Sequence, residues 1–396
     1  MTSASGKVAN RAFCRACGAD DLEAFYEVAS IPSQTCVLLD TADDAAAYPT
    51  GGIELAFCKT CGFIQNTAFD QNKVDYSQPT EESQAFSPEF QRFAANLAST
   101  LIERHRLEDK VVLEIGCGKG DFLSLLAERG IGEGIGIDPG YLPNRQVDGA
   151  KLSFMKDWYG PDDVHLTADL VLTRHLLEHV PNVAEFTGWL LDSTAATPGG
   201  ALFTEVPDTR RVLREGAFWD VYYEHCSYFT LGSLARMLRS SGLHIEHLEL
   251  AYNGQYLLAD GIPGKTGPPD PIEEPVDELA ADVAGFATHA AQQVEEWRTR
   301  IDDLVGRGDQ VAVWGGGSKA VAFLAAVATG APGVTVVDIN PHKQGKFLPG
   351  SAIEVEPPQV LVVKEPQLVV PMNPIYEGEI RSDLTAMGLD TEVVSL

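Results

Sequence analysis

An apolar run, a glycine loop, a helical segment and a second short run ending on aspartate occur twice in this chain. VVLEIGCGKGDFLSLLAERG leads on to GIGID and Asp138; VAVWGGGSKAVAFLAAVATG leads on to VTVVD and Asp338, 200 residues later. Each opening run is continuously apolar and short, which fits a strand buried on both faces. The glycines that follow let the backbone come close to a ligand at the helix start. Between the two units, ADLVLT (168–173), HLLEHVPNVAEFTGWLLDS and GALFTEVP (200–207) continue the alternation. Strands alternating with helical patterns predict an α/β protein with parallel, doubly wound sheets and two Rossmann-like units.

Four segments follow from this. Residues 1–85 are loop-rich and carry two CxxC pairs, and 86–260 hold the first glycine unit. Residues 261–307 open on GIPGKTGPPDPIEEP, too rich in proline and glycine for regular structure, and continue into a predicted helix from about Val276 to Val305. Residues 308–396 hold the second unit. Acidic residues outnumber basic ones 57 to 29, a formal charge of −28. That field opposes nucleic acid and anionic lipid, which argues against binding either through a broad basic surface. No basic–apolar leader and no apolar stretch of about 20 residues is visible, which makes a cytoplasmic location the expectation.

Seven cysteines, an odd number, speak against a disulfide scaffold. Four of them form CRAC (Cys14, Cys17) and CKTC (Cys58, Cys61), each pair followed by glycine. Two thiolates on each tight turn reach one ion, and four close a tetrahedral zinc shell with no open position. Thioredoxin-type chemistry uses one pair, so structural zinc is the expectation. Cys36 reads as a small buried hydrophobe.

In the first glycine loop Glu114 precedes Gly116, Gly118 and Gly120. An acid there would repel a pyrophosphate and suits a ligand carrying an amino group and a sulfonium. Asp138 stands 22 residues after Gly116, where a carboxylate receives ribose hydroxyls. Asp157 lies one segment later, placed to read an adenine amino group. This set resembles the glycine motif, ribose acid and adenine acid of class I S-adenosylmethionine methyltransferases. His175-Leu-Leu-Glu178-His179 matches a zinc-peptidase pattern. It directly follows a predicted strand, however, so it reads as a cofactor-side loop in which Arg174 and Glu178 pair.

FWDVYYEHCSYFT (218–230) is dense in aromatic and titratable residues. A Glu–His pair beside tyrosines is what proton abstraction needs: the imidazole takes the proton and a phenol donates to the oxygen gaining charge. The same residues also suit an aromatic lid in which His225 is merely hydrogen-bonded.

The order of motifs, CxxC…CxxC, EIGCGKG, RHLLEHVPN, EVP, YYEHCSYF and NPHKQGKFLPG, resembles the three-domain zinc-containing sugar C-methyltransferases over nearly the whole chain. Those enzymes methylate a carbon of nucleotide-linked keto-deoxysugars. The resemblance implies a class I methyltransferase Rossmann-like domain flanked by an N-terminal zinc-binding domain and a C-terminal Rossmann-like domain. It implies His225 as the base, Glu224 and Tyr222 as its partners, and Tyr76 near cofactor and substrate. It places Arg174 and His175 beside the cofactor. Tyr223, where the family has histidine, and Asn253, in a changed turn, would touch the substrate. The second loop (Gly315-x-Gly317-x-x-Ala320) read alone fits a dinucleotide site and an NAD-dependent oxidoreductase. In the family it faces the middle domain, where Ser318, Lys319 and Lys343 would grip a substrate phosphate or carboxylate. The expected reaction is C-methylation of a keto substrate, a nucleotide-sugar among the candidates, with O- or N-methylation as the alternative.

Overall fold

The computed structural model describes residues 13–142, 151–327 and 332–396. Its largest sheet has seven strands, in the order Leu243–Ala251, Tyr256–Pro263, Ala201–Pro207, Leu170–Arg174, Val111–Ile115, Glu133–Ile137, Leu152–Met155. The last five run parallel, whereas Tyr256–Pro263 is antiparallel to both its neighbours. The apolar strand VVLEI lies between Leu170–Arg174 and Glu133–Ile137, so its glycine loop emerges at the carboxyl edge of the sheet.

The C-terminal part repeats this plan on a smaller scale. Its five strands, Val355–Glu356, Val334–Val337, Val311–Trp314, Leu368–Pro371 and Glu392–Val393, are all parallel. The structure therefore has the expected Rossmann-like character in both places. Tyr256–Pro263 carries three residues of the expected linker into the middle sheet, and the long helix runs Val276–Gly306.

The amino-terminal part is more regular than its composition implies. Leu22–Pro32, Thr50–Cys58 and Ile64–Asn66 form an antiparallel sheet, and the fourth strand, Ser227–Tyr228, comes from the aromatic acid–base segment. Along the Val276–Gly306 helix, Leu279, Val283, Phe286, Ala290, Trp297 and Ile301 are buried at helical spacing. They belong to one core that runs from Ile31 and Leu55 of the first sheet to Val311 and Leu368 of the last. Among the described residues no helix is long and apolar enough to cross a membrane.

Candidate active site

Gly116, Gly118 and Gly120 all have positive φ, and the Gly116 amide donates to Ile137 O. The Asp138 carboxylate accepts from Gly118 N at 2.9 Å and from Gly140 N at 2.6 Å, which fixes the loop against the next strand. At Gly116 a Cβ would meet Leu176 at 3.0 Å, so only glycine leaves the backbone open there. Glu114 is buried, its Oε2 has no hydrogen-bond partner, and burial pushes its carboxyl up to about 8 against the pull of Arg174. A cationic amino group is the complement this carboxyl lacks, so these residues fit S-adenosylmethionine.

Beside it, Arg174 and His175 end the strand Leu170–Arg174 next to Glu205, since Arg174 and Glu205 are in register on neighbouring strands. Arg174 Nη2 donates to Glu205 Oε1 at 2.9 Å. His175 lies 3.0 Å from Glu205 and 3.4 Å from Glu178. Burial disfavours its charge, but the two carboxylates outweigh that and push the imidazolium up to about 9. His175 has φ 51°, and the residues after it form a 3₁₀ turn, Leu177–His179. The two motif histidines therefore diverge. The expected Arg174–Glu178 pair does not form either, because Glu205 takes the guanidinium.

Glu114, Gly116, Gly118, Asp138, Arg174, His175 and Glu178 open into one cleft of about 920 Å³ that reaches from the glycine loop to the C-terminal loops. Tyr76 and the acid–base segment line its middle. His179 Nδ1 lies 3.1 Å from Tyr76 Oη and 3.2 Å from the Glu224 carbonyl. Glu224 turns its carboxylate to Thr35, accepting from Thr35 N at 3.1 Å and from the Thr35 hydroxyl. His225 packs edge-on against Tyr222 and His179, each at 4.8 Å, and makes no hydrogen bond among the described residues. Burial and the neighbouring His179 hold its pKa well below the usual value, so it is neutral near pH 7. Tyr222 donates to Asp220 Oδ1 at 2.9 Å. Asp220 also takes Arg211 at 2.6 Å and Lys319 at 2.7 Å.

Two family models match the chain: "Methyltransferase domain" over residues 83–248 and "C-methyltransferase C-terminal domain" over 276–391. The C-methyltransferase NovU of Streptomyces niveus is 28% identical over 87% of this chain and 86% of its own length. The chain is a C-methyltransferase. It is an S-adenosylmethionine-dependent enzyme. Solved structures resemble less than half of it, at a lower level. Magnesium protoporphyrin IX methyltransferase of Synechocystis PCC 6803 is 16% identical over 44% of this chain and 83% of its own, with TM-score 0.34. The 1,6-didemethyltoxoflavin-N1-methyltransferase of Burkholderia thailandensis is 17% identical over 43% and 79%, with TM-score 0.33.

In this C-methyltransferase most of the expected cofactor, catalytic and substrate residues line the cleft, with three departures. Gly120 caps the helix Asp121–Glu128 outside the cleft, where a Cβ would strike Phe154. Tyr223 is fully buried, its hydroxyl spent on the Asp70 backbone. Asn253 is exposed in the left-handed turn between two strands; its neighbour Gln255 lines the cleft and exchanges amide hydrogen bonds with Asn373. Cys36 is not buried filler: it lines the cleft with Sγ 3.2 Å from Ser318 Oγ. Asp157 is an exposed lining residue whose Oδ1 accepts from Trp158 N. Ser318, Lys319 and Lys343 line the far end, with Lys343 Nζ 3.5 Å from Asp338. Sequence reasoning missed Glu205 and Asp220 as organising acids. Glu205 had a signal, as the one charged residue in the apolar run GALFTEVP.

Proposed function

We propose that this enzyme methylates an enolisable carbon of a small anionic keto compound, of the nucleotide-sugar class, with His225 as the base. The observation that carries the reading is the neutral, unpartnered His225 imidazole in the cleft. Its lone pair is free to take the proton alpha to a carbonyl. Tyr222 has committed its proton to Asp220, so the donor to the oxygen gaining charge passes to Tyr76. With the proton on His179 Nδ1, Tyr76 Oη accepts from it and donates only at 3.4 Å to the Glu224 carbonyl, a long bond that a substrate oxygen would replace. Glu224 acts through position: its carbonyl receives His179 and its carboxylate anchors Thr35. Arg211 and Lys319, both held by Asp220, and Lys343, beside Asp338, bring three cationic side chains to the far end, which a substrate phosphate would draw from their carboxylates. S-adenosylmethionine, when bound, supplies a methyl on a sulfonium. Glu114, Gly116, Gly118 and Asp138 would hold it, with Asp157 at the adenine end and Arg174 and His175 beside it.

The four cysteines are proposed as a structural zinc site. Cys14 and Cys61 Sγ stand 3.6 Å apart, and Cys17 and Cys58 Sγ 3.7 Å. Sulfurs around one zinc at 2.3 Å stand about 3.8 Å apart, which these two pairs match, and all four sulfurs lie within 4.8 Å of one another.

Methyl-¹³C-labelled cofactor tests the reaction class. The label should appear bonded to carbon in the product of a nucleotide-linked keto sugar. A product labelled on oxygen or nitrogen would replace the base mechanism with direct attack by a heteroatom.

A further inference from the structure

Three donor groups in the cleft converge. Glu178, His179 and His225 each offer one ligand atom, and these lie within 4.8 Å of one another. Glu178 is 2% exposed, and its Oε2 has no hydrogen-bond partner among the described residues. His179 Nδ1 faces the Glu224 carbonyl at 3.2 Å. A carbonyl only accepts, so the proton sits on Nδ1 and the lone pair on Nε2. Such an outer contact is what fixes the tautomer and ring of a metal-ligating histidine. His225 brings a second imidazole with no hydrogen bond of its own, edge-on to the first at 4.8 Å between centroids.

We propose that Glu178, His179 and His225 form a second metal site, distinct from the four cysteines, that takes a divalent transition ion such as Zn²⁺, Co²⁺ or Ni²⁺. Two imidazoles and one carboxylate suit ions of that class, whereas Mg²⁺ and Ca²⁺ favour all-oxygen sets. Donors on one such ion stand about 3.4 Å apart, so the three side chains draw together by little more than an ångström. An ion held there occupies the imidazole that the proposed reaction needs free. The site is therefore inhibitory, and ion and keto substrate compete for it. The inference goes beyond the proposed reaction and is read by binding, with neither substrate nor cofactor present.

The test is a Co²⁺ titration of the purified protein after washing with a weak chelator. One equivalent should bind with visible d–d absorption and no thiolate-to-cobalt charge transfer, since the latter would report entry into the cysteine cluster. Glu178→Gln and His225→Asn should each weaken that binding by about tenfold or more while circular dichroism stays unchanged. In the wild type, methyl transfer should fall as the site fills and return when a chelator removes cobalt. Absence of the d–d spectrum, or the same spectrum and affinity in both variants, would overturn the site. Faster methyl transfer as the site fills would overturn its inhibitory role. A missing cobalt signal leaves the proton transfer untouched, because that step is read by isotope exchange.

Discussion

Burial pushes the Glu114 carboxyl up to about 8, so the free protein holds it largely protonated near neutrality. A cationic amino group favours the carboxylate and must displace that proton. Affinity for S-adenosylmethionine should therefore rise with pH between about 6 and 7.5, while the cofactor's own amino group stays charged. Calorimetric titration across that range checks it; Glu114→Gln should bind more weakly and flatten the profile. A flat wild-type profile would remove Glu114 from the amino end. Glu114, the glycines and Asp138 were legible because they share one short loop-and-strand unit, and local chemistry sufficed. Glu205 was not, because its pairing with Arg174 and His175 depends on the register of two strands roughly thirty residues apart. Tyr222 was read as a donor because its sequence neighbours are acid–base groups; only the structure shows its proton spent on Asp220.

The cysteine turns hold the segment that contains His225. Tyr228 and Ser227 pair with Ile64 and Gln65, Arg15 N donates to Gln65 Oε1, and Asn66 N donates to Cys226 O. A zinc at the cysteines would thus fix the strand that immediately follows His225. One zinc per chain is expected in the purified protein. Cys58→Ser should lose it together with stability and most activity, because ligand loss removes folding free energy. Full activity in zinc-free protein would contradict this. In the same sheet a Cβ at Gly51 would lie 2.0 Å from the Tyr223 ring, which is fully buried and has nowhere to move. Gly51→Ala should cost about 1–3 kcal/mol, seen as an earlier urea midpoint. An unchanged midpoint would mean the ring yields freely. The CxxC pairs were legible as a metal turn, but their partnership with Ser227–Tyr228 was not, since it joins segments more than 150 residues apart.

At the scale of the whole molecule, the cleft exists because three sheets meet around one segment. The first and last sheets share a core across the Val276–Gly306 helix. Glu379 of the C-terminal part accepts from Ser87 Oγ and Glu89 N at the start of the helix Pro88–His105. The alternation of strands and helices, and the repeat of the glycine unit, were legible at a distance of 200 residues because each unit is locally complete. The meeting of the units was legible only through the ordered motifs, since no short pattern encodes a long-range contact. The account turns on His225 removing a proton within this cleft. The direct measurement is solvent exchange: the keto substrate and S-adenosylhomocysteine, with no methyl donor, are incubated with enzyme in D₂O and the substrate is recovered. The wild type should place one deuteron alpha to the carbonyl. His225→Ala should slow that exchange by about 10²–10⁴-fold while keeping its affinity for S-adenosylmethionine. Exchange at the wild-type rate in His225→Ala would contradict the account.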